Sequence, residues 1–165
     1  MVTDVIHRIL SRAIEETSHV VAGRQLRTGE TVIVHLTARS RGAIGNALIV
    51  DRIPAGLEIE NLNIVGGEQL GSVTIAGLNP AEAMANRNIK HVEFRDDRFV
   101  AAVRLDPSNF APRSNDSNTF SLFYRARVVT PGDFIIPPLY AEDMYRPNIF
   151  GLMGGNEMLS VVDAH

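Results

Sequence analysis

The chain has 165 residues, enough to bury one substantial core. Its 45% hydrophobic and 21% charged content is that of a soluble globular domain, and a net charge of −3 with scattered bases argues against nucleic acid, which needs a basic stripe. Cysteine is absent, which excludes disulfides, a thiolate nucleophile and thiolate metal sites within the chain. No apolar run nears the roughly 20 residues of a membrane span. No signal peptide opens the sequence, and a signal far upstream in a longer parent stays open.

The first segment reads differently from the rest. Val2, Val5, Ile6, Ile9, Leu10, Ala13 and Ile14 recur at helical spacing, with Asp4, His7, Arg8, Ser11 and Arg12 opposite. Periodicity by itself predicts an amphipathic helix there. From Thr31 onward the period becomes two. In Thr31–Ala38, Val32, Val34, Leu36 and Ala38 share one face and Thr31, His35 and Thr37 the other. Phe99, Ala101, Val103 and Leu105 make a second such face. Phe120, Leu122, Tyr124, Ala126 and Val128 make a third, with Ser121, Arg125 and Arg127 opposite. This is the pattern of half-buried antiparallel strands. Shorter strands are expected at Ala47–Ile53, Leu57–Ile64, Ser72–Ala76, His91–Arg95 and Met158–Val162.

Turn chemistry joins these runs. Arg27-Thr-Gly-Glu30 and Ile53-Pro-Ala-Gly56 place Gly29 and Gly56 where a positive φ is expected, and Pro131-Gly132 is a strong turn dipeptide. Asp96-Asp97 reads as a tight hairpin connection. Asn79-Pro80 before Ala-Glu-Ala-Met-Ala supplies an N-cap and an N1 proline, so a short helix is expected near residues 80–86. Residues 106–118 form a long polar loop rich in Pro, Ser and Asn, and residues 138–150 a Pro-flanked loop. Many short strands with Gly/Pro turns predict an all-β, antiparallel β-sandwich occupying residues 1–165 as one domain.

Nothing in the sequence supports catalysis. The five histidines, His7, His19, His35, His91 and His165, show no metal spacing, so no metal or other cofactor is expected. Asp96 and Asp97 between Arg95 and Arg98 are turn residues with local charge partners, and Gly66-Gly67 and Gly154-Gly155 lack the context of a phosphate loop. The unusual feature is Met144-Tyr145 held before Pro147, with Tyr140 upstream. Loops normally spend polar residues. Spacing leaves two readings open: these side chains cap one end of the sandwich, or they form a surface for a partner.

Four stretches resemble a known family: Asn46–Asn61 around Ile53-Pro-Ala-Gly-Leu57, Val92–Ala102 with Phe94-Arg-Asp-Asp-Arg-Phe99, Arg127-Val-Val-Thr-Pro-Gly132, and Glu142-Asp-Met-Tyr-Arg-Pro147. In order and spacing they resemble the C-terminal macroglobulin-like domain of bacterial alpha-2-macroglobulins, over about Leu26 to Pro147. The resemblance implies a macroglobulin-like sandwich from a much longer endopeptidase inhibitor and makes the segment near Val5–Ala13 a strand. In such proteins bait cleavage leads to covalent capture of the protease by a Cys–Gln thioester on a neighbouring domain. That Cys is not in this chain, so the implied role is non-enzymatic: packing on the thioester domain and shielding its thioester. Met144 and Tyr145 match the shielding residues, Arg146 fits the motif, and Tyr140 belongs to the same partner-facing region. The implied partners are the thioester domain of the same polypeptide and the trapped protease, with no nucleic acid and no direct membrane contact by this domain. The implied location is the periplasm, with inner-membrane anchoring of the parent left open. The rival reading is a stand-alone bacterial surface or adhesion sandwich, motivated by the Ile53-Pro-Ala-Gly-Leu57 motif alone.

Overall fold

Alternating side chains decide the architecture. A computed structural model of the chain describes residues 2–10, 25–40, 42–61, 68–106 and 120–164. The long polar loop expected at 106–118 lies outside these except for Asp106. Three sheets are present among the described residues. A four-stranded sheet runs in the order β1 (Val2–Leu10), β3 (Thr31–Ala38), β8 (Phe120–Val128), β5 (Leu57–Glu60). A five-stranded sheet runs β11 (Arg146–Met153), β10 (Leu139–Asp143), β4 (Ile44–Arg52), β7 (Arg98–Leu105), β6 (Ile89–Phe94). A small sheet joins β2 (Leu26–Arg27), β12 (Met158–Val162) and β9 (Gly132–Ile135).

The two larger sheets face one another across one core. Val32, Val34, Leu36 and Ala38 of β3 and Phe120, Leu122, Tyr124, Ala126 and Val128 of β8 meet Ala47 and Ile49 of β4 and Phe99, Ala101, Val103 and Leu105 of β7. These are the faces that the period-two pattern marks, so the expected sandwich stands. Pairing is antiparallel except for β1 with β3 and β12 with β2, which are parallel. The small sheet closes one end, contributing Leu26, Leu159 and Val161 to the same core. There Gly56 is required by close approach rather than by a positive φ: a Cβ would lie 2.4 Å from Cε2 of Phe134. Gly29, at φ 88°, does occupy the left-handed region expected of it.

The four-stranded sheet also has a covered outer face. Ile33 and Phe123 pack there against Leu70 and Ile75, with Val73, Leu78 and Met84 around them. These come from the segment holding two short helices, α1 (Glu68–Gly71) and α2 (Pro80–Met84). Asn79 caps α2 as expected, its Oδ1 accepting from the amides of Ala81 (3.0 Å) and Glu82 (3.2 Å), with Pro80 opening the helix.

Three expectations change. Periodicity favours a helix over residues 2–14, but Val2–Leu10 is a strand paired with β3, as the family resemblance implies. The pairing outweighs the helical spacing, and the β-branched Val, Thr and Ile of the segment themselves favour a strand. Ser72–Ala76 is not a strand: Ala76 (φ 50°) and Gly77 (φ 76°) form a tight turn that bridges Ile75 to Leu78. Residues 138–150 are not an irregular loop but most of a β-hairpin, β10 and β11 joined by Met144-Tyr145. Its core-facing residues are Leu139, Ala141 and Asp143, all buried. The polar third member hides the period-two signal.

Candidate functional site: the β10–β11 turn

The turn stands at the end of the five-stranded sheet away from the small sheet. β10 pairs with β4 from Leu139↔Asp51 to Asp143↔Ala47, which brings the turn beside the start of β4. There the amide of Met144 donates to the carbonyl of Asn46 at 2.9 Å. The tip is thus fastened to a central strand and not only to its own hairpin.

Asp143 organises the rest. Its side chain is buried, and its Oδ1 accepts from the Tyr145 amide at 3.0 Å, an Asx-type closure two residues long. Its Oδ2 accepts from Arg146 Nε at 2.7 Å and Nη2 at 2.6 Å. The Tyr145 amide, with the Arg146 guanidinium, holds the Asp143 carboxyl below its ordinary value, against burial, which raises it. Arg146 Nη2 also reaches the carbonyl of Ala43 at 3.5 Å. After Arg146 the ladder breaks: Asp143 pairs with Arg146 but Glu142 with Phe150, so Pro147, Asn148 and Ile149 form a bulge without partners on β10. Proline has no amide proton for the ladder, which accounts for a break at this point.

This scaffold presents Met144 at 51% and Tyr145 at 79% exposure. The two side chains are therefore not an end cap of the sandwich core. Arg146, for which the sequence suggests no separate task, braces the turn through Asp143. Tyr140 is not part of this tip. It lies four residues back along β10, about 13 Å at roughly 3.3 Å per residue, opposite Leu152 and Val50. Its hydroxyl donates to Glu142 Oε2 at 2.5 Å, and that hydrogen bond raises the phenol above its ordinary value.

Sequence reasoning passes over Asp143. The signal available is its place two residues before Tyr145 and three before Arg146, the spacing of an Asx turn with an adjacent guanidinium. No group of three or more His, Cys, Asp or Glu among the described residues is placed to hold a metal. No described helix is long and apolar enough to cross a membrane.

Two facing sheets of this topology, closed at one end by a third, make a macroglobulin-like β-sandwich. Residues 5–148 match the family model of the bacterial alpha-2-macroglobulin MG10 domain, and the chain belongs to that family. It is 41% identical over 126 residues to the alpha-2-macroglobulin of Xylella fastidiosa, covering 76% of this chain and 7% of that protein. It superposes on native Escherichia coli alpha-2-macroglobulin, from domain MG7 to the C-terminus, with a TM-score of 0.68 and 38% identity, covering 82% of this chain and 20% of that one. The Salmonella alpha-2-macroglobulin reacted with methylamine gives a TM-score of 0.66 at 35% identity, over 88% of this chain and 8% of that one. The chain thus spans only a small part of the relatives it matches.

Proposed function

We propose that this chain is a non-catalytic, C-terminal domain of a periplasmic endopeptidase inhibitor, and that it packs on the thioester domain of the same polypeptide and covers its thioester until the bait region is cut. The observation that carries this reading is the fastened tip: Tyr145 is 79% exposed while the backbone beneath it is held by Asn46, Asp143 and Arg146. A large amphipathic ring that is ordered before it meets a partner loses little freedom on docking.

The chemistry asks for such a cover. A thioester is an activated acyl group, attacked by water and by amines, and it survives where both are excluded. The Salmonella relative is one that has been reacted with methylamine, a small amine. In this reading Tyr145 supplies a flat apolar face over the bond and Met144 a polarisable side chain that fits beside sulfur. Arg146 acts through Asp143 by keeping the turn closed. A protease held by the full-length inhibitor would be the second partner.

The test is the rate at which the uncut full-length protein incorporates a labelled small amine. Tyr145→Ala should raise it several-fold, and Met144→Ala should raise it less. Equal rates in wild type and Tyr145→Ala would remove the covering role.

A further inference from the structure

Among the described residues, one of the two outer sheet faces is covered and the other is open. Ile33 and Phe123 on the outside of the four-stranded sheet are sealed by the α1–α2 segment. The outside of the five-stranded sheet has no such layer among the described residues, yet from β11 to β7 it is largely apolar, with Glu93 and His91 of β6 and the Arg52–Arg98 register pair at its margin. Leu152, Tyr140, Val50 and Val100 are register neighbours across β11, β10, β4 and β7, and Phe150 and Leu48 flank Glu142 in the next row. Phe150 is 50% exposed and Leu152 57%. An antiparallel sheet facing water ordinarily alternates to polar residues on that side, and contiguous exposed apolar surface marks contact sites. The charge in the middle, Glu142, already accepts the Tyr140 hydroxyl. A groove of about 450 Å³ runs beside this row, walled by Pro137 and Pro138 and edged by Arg52 and Arg98.

We propose that this face is a second docking surface, occupied in the full-length protein by an apolar ridge of another domain of the same polypeptide. The chain covers 7% of the Xylella relative and 20% of the solved Escherichia coli fragment, so most of such a polypeptide lies outside it. A domain tethered in the same chain meets this face at an effective concentration that a second copy in dilute solution does not reach. The face is also continuous with the turn, since Phe150 and Leu152 stand on the strand that leaves it. Its edge mixes Arg52 and Arg98 with Asp97, and Arg98 is paired with Asp97 at 2.8 Å, which does not suit a strongly anionic surface. The inference rests on the proposed reading in placing the chain within a longer inhibitor, but not on the thioester cover.

Hydroxyl-radical footprinting of the uncut full-length protein tests it, with each rate divided by the residue's intrinsic reactivity. Phe150 and Leu152 should be protected to the level of the core residues Phe99 and Leu139. Reactivity of half-exposed side chains at both positions overturns the proposal. Protection that disappears on dilution, together with loss of a dimer in sedimentation, assigns the face to a second copy and also overturns it. Tyr145 reports separately. If it is protected while Phe150 and Leu152 react freely, the cover stands and this surface falls, and the converse pattern keeps the surface while removing the cover.

Discussion

The phenolic oxygen of Tyr124 on β8 lies 2.7 Å from Oδ2 of Asp51 on β4, so a hydrogen bond crosses the core between the two main sheets. Asp51 is fully buried, and the Tyr124 ring stacks on Phe99 of the facing sheet at 4.8 Å. A carboxyl group in this position is tolerable only while its oxygens are satisfied.

Tyr124→Phe keeps the ring and removes that donor. The variant should lose about 1–3 kcal/mol of stability, the usual cost of leaving a buried polar atom one partner short. Chemical denaturation measures it. A midpoint equal to wild type would mean that Asp51 draws nothing from Tyr124.

Asp143 makes the tip sensitive to acid, in a direction that can be worked out. Its folded pKa is lowered, chiefly by the Tyr145 amide and then by Arg146. The unfolded value is about 3.9. A group with a depressed folded pKa contributes fully above the unfolded value and loses its contribution as pH falls through the folded one. The Tyr145 amide proton should therefore titrate in NMR with a midpoint below the ordinary carboxylate value, and Asp143→Ala should abolish the titration and speed that amide's exchange with solvent. A midpoint at or above the ordinary carboxylate value would rule out the closure as described.

Gly56→Ala places a Cβ 2.4 Å from the Phe134 ring, beside backbone that carries the end-closing sheet. Overpacking of this kind costs about 1–3 kcal/mol. If the ring is the obstacle, Gly56→Ala combined with Phe134→Leu should cost less than the two single changes together. Strict additivity would place the strain elsewhere.

The inner core was readable because every inward residue of β3 and β8 can be named from period two, and Met158–Val162 is found with its exact bounds. The burial of Ile33 and Phe123 on the outward positions was not, since the half-buried reading leaves that face to solvent and the helical segment covers it. β1 was not readable from periodicity, since its apolar spacing suits a helix; the strand that pairs with β3 was implied by the family resemblance alone. β10 escaped because Asp143 occupies an inward position, where a carboxylate breaks the pattern. β9, the four residues that directly follow Pro131, is too short for periodicity to register. At the site, an apolar pair before Pro147 was legible, while the bonds that hold it, from Asp143 and the Asn46 carbonyl, were not. The pair's exposure was not legible either, because it depends on the bond between the Met144 amide and Asn46, a contact between residues far apart in the chain.

That bond sets how the tip can travel. Met144 is moored to β4, which sits third in the five-stranded sheet and is hydrogen-bonded on both sides by β10 and β7. A turn fixed in this way does not swing as a flap while the sandwich stays still. In the proposed reading, the backbone beneath Tyr145 leaves a covered surface together with the body of the domain, so uncovering becomes a question of how the domain is hung on its neighbours.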